Sequence, residues 1–258
     1  MTFTPRGDTV FREIAAVRPV VRAFRKLGKP VVLVPAEAPD AATAYRIAQA
    51  QRIPGSITVL ALIDAASPAV PANCHVDCVL ALSSSALFPS GIRTSVCGDG
   101  GFGEELTVLL KLVNIVAPTD LFLSEKDYEF LLAAQHMITD FNLDLRVHGV
   151  PILREPDGLA LDPRNRELSA GGRESALAIS AALAAGAHAA EGGKDAVLAA
   201  ARAVLAASPE LTVESLEVRG PELGDARLLI TASIEGITLS DNAGLPLGIG
   251  FKSLADQA

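Results

Sequence analysis

The chain has 258 residues, a formal net charge of −8 and 50% hydrophobic residues, but no Trp and only two Tyr. That length suffices for one or two domains with a sizeable core. An acidic balance without a Lys/Arg cluster argues against nucleic acid or an anionic membrane as partner, and few aromatics leave little platform for single strands. No apolar run reaches the ~18 residues that a membrane span needs. Residues 1–26 carry charges throughout and lack a signal-peptide core, so a soluble, cytoplasmic protein is expected. Three cysteines, Cys74, Cys78 and Cys97, make no disulfide framework. Cys74-His75-x-x-Cys78 lacks a second ligand pair, so small buried thiols are expected there in preference to zinc.

In chain order, residues 10–13 read as a short first strand. Residues 17–27 read as a helix with Pro19 in its first turn and Gly28 at its C-terminal cap. Residues 31–35 form a buried strand, and Asp40 is placed to cap a helix over residues 41–51. After the Pro54-Gly55 turn, strands are predicted over residues 57–63 and 79–82, then a helix over 102–116.

Residues 121–168 organise the rest. Leu121-Phe122-Leu123 is a buried strand, followed by polar Ser124–Asp127. Tyr128, Leu131, Leu132, Gln135, Met137 and Ile138 recur at helical spacing as far as Phe141, and Leu143, Leu145 and Val147 alternate as a strand. Strand, helix, strand in one sheet is a right-handed parallel crossover. Ligands in such sheets sit beyond the carboxyl ends of the strands, where Ser124–Asp127 fall. The repeated alternation of strands and helices makes the class α/β with a mostly parallel sheet. After Leu168 come two Ala-rich helices, over residues 174–190 and 194–207, and strands over 211–218, 227–234 and 237–239. Helices followed by strands suggest a small α+β domain, giving expected domains 1–168 and 169–258 with a loosely held Gly-rich tail from Gly244.

The segments SEKDY (from Ser124) and VPILREPDGLALDPRNREL (from Val150) resemble signatures of the pantothenate synthetase (pantoate–β-alanine ligase) family. The resemblance covers most of the chain, with gaps. It implies a Rossmann-like, nucleotidylyltransferase-type sheet with a small C-terminal lid domain closing over the nucleotide. The implied reaction is ATP-dependent adenylation of pantoate, with Mg, followed by displacement of AMP by β-alanine. By resemblance Lys126 meets the phosphates, Asp127 the ribose, Leu153 and Leu161 floor the adenine, and Arg164 belongs to the mobile phosphate loop.

Other family motifs are altered. Where the family carries a His-x-Gly-His segment after the strand ending in Val-Pro, this chain has Ala36-Glu37-Ala38-Pro39-Asp40-Ala41-Ala42-Thr43, which puts a carboxylate at a helix N-terminus suited to phosphate. An Asn-Pro-x-Gln-Phe motif is replaced by Asp64-Ala65-Ala66-Ser67-Pro68, and an acidic helical segment that supplies magnesium ligands is missing. Glu104 and Glu105 open the helix that follows Phe102. A pantoate-binding Gln aligns with Phe130, which would fill the pocket with a ring. In the phosphate loop two Ser donors become Asp162 and Pro163. Several charge-stabilising donors are lost together, so a catalytically degenerate protein is expected. It would bind no cofactor, have no catalytic residue or metal ligand, and act as a binding or assembly partner in a homodimer or with an authentic synthetase. An active ligase with a rearranged ATP site is the alternative. A third expectation redirects the fold to another small anionic metabolite. His75, His136, His148 and His188 are scattered without a nucleophile motif, and Gly98-Asp99-Gly100-Gly101 lacks the Lys of a P-loop.

Overall fold

The computed structural model describes residues 9–65, 69–97, 101–220 and 226–245. The expectations for the tail beyond Leu245, for Ala66-Ser67-Pro68 and for most of Gly98–Gly101 lie outside those residues. The described residues form two compact units, one ending at Pro151 and the other beginning at Ile152. Residues 152–168, expected at the end of the first domain, therefore fold with the second. Arg154 and Arg164 in that segment bond to Asp241 and to the Thr238 carbonyl, both well inside the second unit. Among the described residues no helix is long and apolar enough to cross a membrane.

The first unit contains β1 (Val10–Phe11), α1 (Ile14–Lys26), β2 (Val31–Ala36), α2 (Ala41–Ala50), β3 (Ile57–Ile63), β4 (Cys78–Leu82), the single turn α3 (Ser84–Leu87), α4 (Gly103–Val116), β5 (Asp120–Ser124), α5 (Tyr128–Asp140) and β6 (Arg146–Val150). All six strands pair in parallel in the order β1-β4-β3-β2-β5-β6. Side chains alternate between the two faces of a strand, and both faces are buried here. Val31, Leu33, Val59, Ala61, Leu80 and Leu121 join one core with α1, α4 and α5. Val32, Val34, Leu60, Leu62, Val79 and Phe122 join another with Ile47 and Ala50 of α2. This double covering explains why the strands read as continuous apolar runs.

The predicted elements recur with three adjustments. Helix α1 begins at Ile14, so Pro19 lies inside it and not in the first turn. Val17, Val21 and Phe24 form its buried stripe, and burying that stripe outweighs one missing amide. Its far end closes as expected: Gly28 has φ +71°, Gly28 N donates to Arg25 O and Lys29 N to Phe24 O, the paired bonds of a Schellman cap. Strand β6 starts at Arg146, later than the alternation of Leu143 and Leu145 suggests, because those two side chains pack on the core before pairing with β5 begins. The last strand of the second unit runs to Gly244, well past the predicted residue 239.

Asp120, 0% exposed, pins the start of β5 to β6. Arg146 Nε is 3.0 Å and His148 Nε2 2.8 Å from its Oδ1, and the His148 ring stacks on Phe122 at 4.5 Å. Burial by itself would raise the Asp120 pKa. Bonds from Thr119, His148 and Arg146 outweigh it and hold the carboxyl below its usual range.

The second unit contains α6 (Ala170–His188), α7 (Gly193–Leu205), β7 (Thr212–Arg219), β8 (Arg227–Ile234) and β9 (Ile237–Gly244). The strands form an antiparallel sheet in the order β7-β8-β9. Leu228, Ile230, Ala232 and Ile234 alternate along β8 and bury against Ala176, Ile179, Ala182 and Leu183 of α6. At Gly186 α6 packs closely on this sheet and on α7: a Cβ there would lie 2.4 Å from Leu228 Cδ2 and 3.3 Å from Val197 Cγ1.

Two outcomes are expected. Gly186→Val destabilises the protein by roughly 1–3 kcal/mol in denaturant unfolding, because Leu228 is fully buried and cannot swing away; this overpacking outweighs the better helix propensity. Asp120→Ala lowers unfolding free energy at neutral pH by roughly 2–3 kcal/mol, the scale of charged hydrogen bonds lost from a buried site. Because the folded pKa of Asp120 is depressed, its stabilisation is full above about pH 4 and is lost as pH falls through the folded value, so the unfolding curves of Asp120→Ala flatten in that acid range relative to the wild type.

Candidate functional site

The strand order reverses around β2. From β2 the chain runs outward through β3 to β4, then returns to place β5 on the other side of β2. Beyond the carboxyl ends of β2 and β5 the connections diverge to opposite sides, leaving the crevice where open α/β sheets bind ligands. Two short segments flank it: residues 37–40, leading into α2, and the 3-10 turn Glu125–Asp127, leading into α5.

On the β2 side, Asp40 caps α2 as expected, accepting from Thr43 N at 2.7 Å. The buried Thr43 donates its hydroxyl to Ala38 O at 2.8 Å. Arg46, one turn on, donates from Nη1 to Pro35 O at 2.8 Å and from Nη2 to Thr43 Oγ1 at 3.0 Å. Its Nε is buried without a hydrogen-bond partner. Burial pulls the Arg46 pKa below its usual value, against the opposing pull of Asp40, Asp127 and Glu37. An arginine so placed remains a cation.

On the β5 side, Ser124 Oγ accepts from Lys126 N at 3.1 Å and so starts the turn. Lys126 is half-buried and Asp127 exposed. Glu125 lies against β6 at Gly149, where a Cβ would come within 3.0 Å of its Oε1. Phe130 was expected to fill the acid pocket; its half-buried ring meets Phe102 edge-to-face at 5.8 Å and packs on the core. Glu104 and Glu105 are exposed in the first turn of α4, where negative charge favours the helix start.

In the second unit the signature residues hold one another. Glu155 N donates to Leu159 O and Gly158 N to Glu155 O, which closes a three-residue hairpin loop with Gly158 at φ +96°. Arg154 grips the buried Asp241 with two bonds of 2.7 and 3.1 Å. Arg173 of α6 bridges Glu155 at 2.7 Å and Asp157 at 2.6 Å. Its bonds, first of all, hold the Asp157 carboxyl below its usual range; for Glu155 the bond from Asn165 leads and that from Arg173 adds to it. Asn165 Nδ2 donates to Glu155 Oε1 and Ala160 O. The next turn, Pro163–Arg166, is capped by Asp162, and Arg164 forks back onto that carboxylate from Nε at 3.0 Å and Nη2 at 2.7 Å while Nη1 reaches Thr238 O at 2.7 Å.

The candidate residues thus fall into two groups. Lys126 and Asp127 sit together on the turn after β5. Leu153 and Leu161, both half-buried, are neighbours across the hairpin through Leu161 N and Leu153 O at 2.8 Å, with Arg164 on the turn that follows. The sequence reading missed Arg46. The signal was a cation three residues after the buried Thr43 and next to the buried Ile47, on the inward stripe of α2. It also missed Arg173, whose place on a helix in a different stretch of chain gives no local hint. Cys74 and Cys78 are free thiols, and burial raises the Cys78 pKa to about 12. Among the described residues no group of three or more His, Cys, Asp or Glu is arranged to hold a metal.

Comparison with known proteins agrees with this arrangement. Residues 72–244 match the family model described as pantoate-beta-alanine ligase. The chain is 40% identical to a pantothenate synthetase of Corynebacterium jeikeium over 293 aligned residues, covering 99% of this chain and 96% of that one. It is also 40% identical to a pantothenate synthetase of Mycobacterium avium, covering 93% of this chain and 88% of that protein. Among solved structures, pantothenate synthetase from Thermus thermophilus superposes with a TM-score of 0.78 at 24% identity, over 92% of this chain and 99% of that one. Pantoate-beta-alanine ligase from Francisella tularensis, complexed with beta-gamma ATP and beta-alanine, gives 0.70 at 18% identity, over 91% and 97%. The two superpositions speak for the fold, and the family match and the near end-to-end relatives settle the lineage: this chain belongs to the pantoate–β-alanine ligase family of pantothenate biosynthesis.

Proposed function

We infer that the chain is a working pantoate–β-alanine ligase that uses ATP through a rearranged phosphate site in the cytoplasm. The observation that carries this reading is the integrity of the two motif-bearing segments. The turn after β5 keeps Glu125, Lys126 and Asp127 at the reversal point of the sheet, and the hairpin keeps Arg154, Glu155, Asp157 and Asn165 in one bonded network. Relatives bearing the synthetase name align across nearly the whole chain.

The residues present fit a nucleotide. In the first unit Asp127 is an exposed acceptor for ribose hydroxyls, and Lys126 and Arg46 are cations for anionic oxygens. ATP, bound with Mg, supplies the adenylyl group that activates the acid's carboxylate toward the amine. The chain's own part is positional. It holds the acid and the phosphates in line, and keeps cations near the oxygens where charge develops. The local excess of carboxylates, Glu37, Asp40 and Asp127 around Arg46, favours a triphosphate that arrives carrying its own divalent cation.

A second reading rests on two specific contacts. Asp40 occupies the N-terminus of α2, and Asp162 takes two bonds from Arg164. On that reading the chain is an eroded relative, kept as an assembly partner for itself or for an authentic synthetase. Incubating the purified chain with ATP, Mg, pantoate and β-alanine separates the two. The ligase reading expects pantothenate and AMP, rescue of a pantothenate auxotroph, and a loss of roughly 10²–10³-fold in kcat on Lys126→Ala. No pantothenate and no rescue would hand the case to the second reading, for which sedimentation with and without an authentic synthetase is the measure.

A further inference from the structure

Arg46 belongs to neither motif-bearing segment, yet it joins α2 to the end of β2. A guanidinium carries five N–H donors. Two bonds are made, to the Pro35 carbonyl at the end of β2 and to the Thr43 hydroxyl, and they fix the plane of the fork. Nε is buried with no partner. A buried donor left unmade costs about 1–3 kcal/mol, and such a group in a native structure calls for an explanation.

The surroundings supply one. The fork lies within electrostatic reach of both sides of the crevice: Glu37 and Asp40 before α2, and Asp127 on the turn after β5. Glu37 and Asp127 are exposed and solvated, whereas Arg46 is half-buried, so the cation's field is screened less than theirs. These carboxylates favour the charged guanidinium from beyond ion-pair distance. Carboxylates and phosphates present two oxygens to one edge of a guanidinium, a match that an ammonium lacks.

We propose that Arg46 is the oxyanion anchor of the β2–β5 crevice, receiving an anionic group of the substrate, carboxylate or phosphate, on the edge of its fork that includes Nε. This deepens the ligase reading and rests on it for the identity of the substrates. Thr43 is the positioning residue, since its hydroxyl, itself held by Ala38 O, orients Nη2.

The test is binding to the full-length chain, with pantoate and Mg-ATP titrated separately by calorimetry. Arg46→Met, which keeps an apolar stem, is expected to weaken one of the two at least tenfold and leave the other within twofold; the ligand affected names the anion, carboxylate or phosphate. Arg46→Lys is expected to recover part of the loss. In the wild type, the Arg46 Nε–Hε resonance is expected to shift saturably with that same ligand, a readout that a purely structural arginine would not move and that needs no folded variant. Unchanged affinities for both ligands in a folded Arg46→Met protein, or an Nε–Hε resonance indifferent to both, would overturn the anchor. Arg46-dependent binding without pantothenate formation would support the anchor and defeat the ligase reading. Turnover that is indifferent to Arg46 would do the reverse.

Discussion

The seam between β2 and β5 governs the molecule's usable chemistry. Thr119 N donates to Val31 O at 2.8 Å, and Val31 N donates to Thr119 Oγ1 at 3.0 Å, so the last residue before β5 clamps the first residue of β2. The register Val32↔Asp120 and Leu33↔Leu121 follows from that clamp. Because side chains alternate, a slip of one residue would send Leu121 and Leu123 to the opposite core and misplace the turn that follows. Pairing at one end of the strands thus decides which residues stand beside the crevice at the other.

Within this frame the crevice is more mixed in charge than its motifs suggest. Asp40 and Thr43 are both occupied locally, Asp40 capping α2 and Thr43 donating to Ala38 O and accepting from Arg46. Arg46, on the same helix, adds a cation bonded to the end of β2.

The second unit shows how a signature can be a scaffold. Arg154, Glu155, Asp157 and Asn165 are the residues that draw the eye in the sequence. In the fold they clamp a hairpin to α6 and β9 through Arg173 and Asp241. Asp162 and Arg164 form a fork within one turn and so stabilise the turn itself. Exposed pairs of this kind add little stability singly, but here several share partners around a few buried atoms and fix a loop geometry.

The α/β class, the parallel order of strands and helices, the Asp40 cap, the Gly28 cap and the location of Lys126 and Asp127 after β5 were all legible in the sequence. Each depends on neighbours within a few residues, through periodicity, capping chemistry or a turn. The start of α1 ahead of Pro19, the late start of β6 and the full length of β9 were not legible, because burial and pairing with distant strands override local preference there. Arg46, Arg173 and the packing of Phe130 on Phe102 belong with them: each acquires its meaning from a partner remote in the chain or across a turn of helix. Local interactions are written in adjacent letters. Which carboxylate a guanidinium meets, and which atom it leaves unbonded, is decided only when strands far apart in sequence are brought side by side.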